Sequence, residues 1–84
     1  MSSVGIPLEP DLVLVSWTRN PLIPGSARRI TASRVIGSAK PCESKLTSGS
    51  LLIPAIKCLK KNGFIVVVSK RTTAVSGYLL LQRG

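Results

Sequence analysis

Apolar residues first concentrate in Asp11-Leu-Val-Leu-Val-Ser-Trp17, where four aliphatics in succession predict a short buried strand. Asn20-Pro-Leu-Ile-Pro-Gly25 breaks that run, because Pro21 and Pro24 lack amide donors and Gly25 permits a turn. Residues 1–10, punctuated by Gly5, Pro7 and Pro10, are expected to form an extended or frayed leader. Ser26 to Gly37 carries two conflicting patterns. Ser26 as a cap, Gly37 as a stop and Ala27, Ile30 and Arg34 on one face favour a helix. The β-branched Thr31, Val35 and Ile36 pull the other way, and the reading settles on helix. A Ser- and Lys-rich loop follows over Ser38 to Ser50.

The last third is patterned more sharply. Leu52, Ala55, Ile56 and Leu59 recur at helical spacing between a candidate N-cap, Ser50, and a stop signal, Asn62-Gly63, with Pro54 near the first turn. After Gly63 the period changes. Phe64-Ile-Val-Val-Val-Ser69 is too β-branched for a helix and predicts a central strand. Lys70 to Gly77 reads as a turn or a longer projecting arm, and Tyr78 to Gln82 as a return strand. The expected architecture is a single α+β domain over residues 1–84. One or two short helices pack on an antiparallel sheet that ends in a β-hairpin, with a mainly β fold as the alternative.

Charge changes the picture more than length does. The 84 residues carry 12 Lys and Arg against 3 Asp and Glu, a formal net charge of +9. All twelve cations lie from Arg19 onward, where the one acid is Glu43. Self-repulsion at that density opposes a compact fold, and phosphates offset it while releasing counterions. Three clusters stand out: Arg28, Arg29 and Arg34; Lys57, Lys60 and Lys61; and Lys70 with Arg71. Guanidinium forks fit phosphate oxygens bidentately, and lysines add point charges. Engagement of about five phosphates predicts a log–log salt slope near −4.5. Trp17, Phe64 and Tyr78 each adjoin aliphatic runs, so the pattern favours backbone contact over base stacking. Ser26, Ser33 and Ser38 could reach phosphates, though caps and turns are the stronger reading.

The inventory argues against catalysis. There is no His, and no Gly-rich phosphate loop. Two Cys without His cannot complete a zinc site, so neither metal nor cofactor is expected. Cys42 lies near Lys40 and Lys45 but lacks a base. Cys42 and Cys58 could form one bridge; with no signal-like leader, the reading favours reduced thiols in a cytoplasmic or organelle-matrix setting. The longest apolar runs are far short of the ~20 residues a membrane-spanning helix needs.

Lys45-Leu46, the Leu52 to Lys61 helix, Asn62-Gly-Phe-Ile65 and Gly77-Tyr-Leu-Leu-Leu-Gln-Arg-Gly84 together resemble the N-terminal domain of small-subunit ribosomal protein eight. In that family a helix ending in Leu-Lys-x-x-Gly-Phe/Tyr-Ile enters a strand, and a hairpin returns through an aliphatic strand closing on Gly. The similarity covers roughly half the chain. The family's opening helix matches Ile30 to Lys40 only loosely, and Asp11 to Trp17 has no counterpart. The resemblance implies an RNA-contacting scaffold without catalysis, with ribosomal RNA and neighbouring proteins of the assembly as partners.

Two further function classes fit the same residues. A small viral or phage accessory protein would use Phe64 to Val68 and Tyr78 to Leu81 to form a homodimer or to attach to a capsid, a host protein or a lipid. A winged-helix DNA binder would place Lys70 and Arg71 on its wing.

Overall fold

A computed structural model of the chain describes residues 10–23 and 25–84. The leader expected over 1–10 lies, apart from Pro10, outside the described residues. The elements run β1 (Asp11–Thr18), β2 (Arg29–Ile36), a short 3-10 helix (Glu43–Leu46), α1 (Leu52–Lys61), β3 (Ile65–Thr73) and β4 (Ser76–Arg83). The strands form one antiparallel sheet in the order β2-β1-β4-β3. The apolar run over 11–17 therefore becomes a central strand, flanked by β2 and β4.

Alternation along β1 sorts its side chains onto two faces. Val13, Val15 and Trp17 point into the core, together with Ile30 of β2 and Leu81 of β4. Leu52, Ala55 and Leu59 of α1, Leu46 of the 3-10 helix and Phe64 close over the same face. On the opposite face the register aligns Arg34, Leu14, Leu80 and Val68 in one row, and Ile36, Leu12, Gln82 and Ile65 in the next. Both helices lie on the first face. Leu14, Ile36 and Ile65 remain exposed on the second.

Ser26 to Gly37 is not a helix. Its latter part is β2, and the β-branched residues win because β1 supplies a pairing partner for every residue of β2 except Thr31. One irregularity makes the strand fit. Ser16 pairs with Ala32 and Trp17 with Ile30, so Thr31 is an extra residue that returns Ile30 to the core face. Ser26 serves the preceding loop instead, its hydroxyl donating to the carbonyl of Asn20 at 2.9 Å. Gly37 ends a strand, and a Cβ there would collide with the Asp11 carboxylate.

The predicted helix is present, with a different start. Leu51 occupies the N-cap in an extended conformation, with no side-chain cap. The Ser50 carbonyl accepts from the Ile30 amide at 2.8 Å and Leu51 bridges to Arg29, so the residues before α1 cover the outer edge of β2. The stop follows the sequence signal. The Phe64 amide donates to Leu59 O at 3.0 Å and the Gly63 amide to Lys60 O at 3.2 Å, with Gly63 at φ 94°. This is the paired closure that a left-handed glycine after a helix allows, with Phe64 packed near Leu59.

Two other expectations change. Among the described residues β3 is an edge strand, not a central one: it pairs only with β4. A β-branched run fits either position, and here irregularities near Val67 and Thr72 and the cations Lys70 and Arg71 interrupt a regular edge. The cysteines are not free thiols. Cys42 and Cys58 form a disulfide, with Cα atoms 5.9 Å apart, joining the loop after β2 to the flank of α1. Among the described residues no helix is long and apolar enough to cross a membrane.

Candidate nucleic-acid interface

Strand register gathers cations that the sequence keeps apart. Thr18 pairs with Arg29 on one side and Ser76 on the other; Trp17 pairs with Ile30 and Gly77; Gly77 pairs in turn with Arg71. The end of β1, the start of β2, the end of β3 and the start of β4 thus share one end of the sheet. Arg28, Arg29, Lys70 and Arg71 lie there. Arg19 joins them: its amide donates to Val75 O at 2.9 Å and its Nη2 to Ala74 O at 3.3 Å, tying it to the β3–β4 turn. Of the two acids in the described chain, Asp11 stands at the opposite end of β1 and Glu43 in the 3-10 helix.

Arg28 is held in place by an aromatic ring. Its guanidinium carbon sits 4.4 Å from the Trp17 ring centroid, within reach of the ring's negative face. The indole also lies close to Gly77, where an added Cβ would lie 2.7 Å from Trp17 Cζ2. Arg28 and the Gly77 backbone thus both approach the one indole. Trp17 is buried, so it serves the core and orients an arginine; its ring is not free for a base. Phe64 is also buried, and Tyr78 is half-buried across from Lys70.

Lys70 and Arg71 do not project on a loop. β3 runs to Thr73 and β4 resumes at Ser76, leaving a tight turn at Ala74 and Val75. The hydroxyls of Thr72 and Thr73 bond Ser76 Oγ at 3.0 and 2.6 Å, which secures the turn. Both cations are therefore carried on paired, exposed strand positions.

The remaining predicted residues are placed elsewhere. Arg34 pairs with Leu14 and belongs to the face away from the helices. Lys57, Lys60 and Lys61 are exposed on α1. That helix starts beside Arg28, whose carbonyl accepts from the Leu52 amide at 2.9 Å, and ends at Asn62 near Arg83. Lys60 and Lys61 thus lie at the far end, where they suit the negative pole of the helix. Ser33 and Ser38 take the structural role: Ser33 Oγ donates to Leu46 O, and Ser38 Oγ accepts from the Lys40 amide.

Arg83 is spent internally. Its Nε and Nη2 donate to Asp11 Oδ2 at 3.0 and 2.8 Å, Nη1 to the carbonyls of Lys40 and Asn62, and Nη2 to that of Ser38. Its guanidinium also lies 4.5 Å from the Phe64 centroid. The hydrogen bonds from Arg83, and then that from the Ser38 amide, hold the Asp11 carboxyl below its ordinary pKa. Among the described residues no group of three His, Cys, Asp or Glu is placed to hold a metal ion.

Arg19 and Arg83 escaped the sequence clusters because each is isolated along the chain; only strand pairing shows their neighbours. No protein-family model, curated protein or solved structure matches this chain.

Proposed function

We propose that this chain is an RNA-binding structural protein of a ribonucleoprotein, working without catalysis through the basic end of its sheet. The observation that carries the reading is the gathering of Arg19, Arg28, Arg29, Lys70 and Arg71 at one end of the sheet, away from Asp11 and Glu43. A phosphate backbone offsets such uncompensated charge, and Arg28 meets it from a preorganised position on Trp17. The resemblance of the helix–strand–hairpin unit to the ribosomal family points the same way. The loosely matched opening helix of that family, however, falls on β2. Retention of RNA by the purified protein at low salt, and its loss at high salt, tests the proposal; indifference to RNA at every salt concentration would sink it.

A second reading rests on a different face. The sheet surface away from α1 exposes Leu14, Ile36 and Ile65, with Arg34 and Lys70 among them. Two copies packed through that surface would bury it. This is the homodimer expected of a small, β-rich viral or phage accessory protein.

A further inference from the structure

Both helices lie on one face of the sheet, and register fixes which side chains stand on the other. Along β4, Leu79 and Leu81 pack on the core side, so Tyr78 and Leu80 stand on the open side. Trp17 and Phe64 are buried in the core, which leaves Tyr78 as the aromatic ring of the open face. We propose that Tyr78 is the stacking platform for one unpaired base of a single-stranded RNA, with Lys70 holding the adjoining phosphate. The inference deepens the RNA-binding reading above and rests on it.

The ladder places the ring among suitable neighbours. Its direct partners are Lys70 on β3 and Ser16 on β1, and Ser16 pairs in turn with Ala32. Directly opposed side chains have Cβ atoms about 5 Å apart, so Lys70 flanks the ring. Toward β2 the row holds the short side chains of Ser16 and Ala32, which put no bulky group beside it. Tyr78 is half-buried and Lys70 exposed, so the ring is held at its base and reached from above. A ring held in this way loses little freedom when a base settles on it.

Charge favours a polyanion as the occupant. Arg34 shares the open face, one row along from Tyr78 and two strands across. Among the described residues no carboxylate stands there: Asp11 meets Arg83 on the core side, and Glu43 lies in the 3-10 helix. Ser76, two residues before Tyr78, pairs with Thr18 at the basic end of the sheet. At about 3.4 Å per residue, the ring stands some 7 Å from that end. A backbone gripped by the sheet end therefore brings its next base to Tyr78. The exposed Ile36 and Ile65 lie at the other end of the face. Every base has a π-face, so such a platform tolerates any sequence.

Fluorescence anisotropy of the full chain with a short labelled RNA tests the platform, comparing the single strand, its duplex and a single strand of abasic sites. The intact single strand should bind more tightly than the duplex. Tyr78→Leu should weaken it about tenfold, a typical stacking loss, and leave the abasic strand unchanged. The abasic strand should show the same deficit against the native chain, a readout that survives if Tyr78→Leu fails to fold. Tyr78→Phe keeps the ring and should bind as the native chain does. Lys70→Gln should lower the log–log salt slope by about 0.7, whereas Tyr78→Leu leaves the slope alone. Abasic RNA bound as tightly as intact RNA, or single-strand binding indifferent to Tyr78→Leu, overturns the platform and spares the RNA reading. A loss as large for the duplex as for the single strand does the same. Altered sedimentation of Tyr78→Leu with RNA affinity intact gives the face to a second copy, and also overturns the platform. A chain that binds none of these RNAs removes the platform and the RNA reading together.

Discussion

The Arg83 guanidinium grips one carboxylate oxygen of Asp11 across 72 residues of chain, at 3.0 Å from Nε and 2.8 Å from Nη2. The two residues are also direct partners in the β1–β4 ladder. Through its carbonyl bonds the same guanidinium fastens the segment after β2 and the end of α1. One side chain therefore joins the beginning of β1, the end of β4 and the helix terminus. The pair is roughly a quarter exposed on each side, so solvent moderates it.

Asp11 gives the fold an acid limit. Its carboxyl binds a proton less readily in the folded chain than in the unfolded one, so its contribution is complete above its ordinary pKa of 3.8 and is lost as pH falls through the depressed folded value. Thermal melts of the native chain and Asp11→Asn should differ most at neutral pH and converge in strong acid. A gap that persisted unchanged at low pH would contradict the pairing.

Gly77 is required by contact, not by backbone angle. A methyl group there meets the Trp17 ring and the Lys70 carbonyl, and the ring is buried in the core with little room to retreat. Gly77→Ala should cost about 2 kcal/mol and lower Tm by roughly 10 °C. A melt within a degree or two of the native chain would show that the ring yields.

The Cys42–Cys58 bridge spans a sequence separation of 16. On the loop-entropy account, closing a loop of that size adds about 3 kcal/mol by restricting the unfolded chain. Urea unfolding of a Cys42→Ser, Cys58→Ser double variant should show a correspondingly lower midpoint, and reductant should bring the native chain toward the same value. Coincident curves for the native chain and the double variant would mean that packing alone holds the loop on the helix.

RNA affinity should depend on the sheet end more than on isolated cations. Neutralising Arg28 and Arg71 together is expected to weaken binding alike for unrelated RNA sequences and to reduce the log–log salt slope by about 1.4, at roughly 0.7 per charge for a single strand. Arg34→Gln, four β1 positions along the sheet from the Thr18–Arg29 pair, should do less. Filter binding across a salt series reads both effects. Loss confined to one RNA sequence would contradict backbone contact.

Sedimentation addresses the second reading. A homodimer through the open sheet face should dissociate when Leu14→Lys places a charge in its centre. A native chain that sediments at its monomer mass of 8.9 kDa at every concentration removes that reading.

Local chemistry was legible along the chain, and pairing was not. The Leu52, Ala55 and Leu59 stripe, the Asn62-Gly63 stop and the aliphatic runs of β1, β3 and β4 each declare themselves within a few residues. Ser26 to Gly37 carries cap-like ends around β-branched residues, and only β1 as a neighbour decides between them. Phe64 to Val68 reads as strand without revealing how many neighbours it has. The disulfide depends on how a loop folds back onto α1, which residue spacing does not encode. The candidate site divides in the same way. Arg28, Arg29, Lys70 and Arg71 were visible as two sequence clusters whose union is a product of register. Arg19 entered through the same register, and Arg34 left because it pairs with Leu14, four β1 positions from Thr18, the partner of Arg29.

Trp17 is the only tryptophan in the chain, and it lies directly beneath Arg28. The protein therefore carries an intrinsic fluorophore at the place where the charge collects. Any occupant that draws the guanidinium off the indole changes the electrostatic field over the excited state, and the emission reports that event without an attached dye.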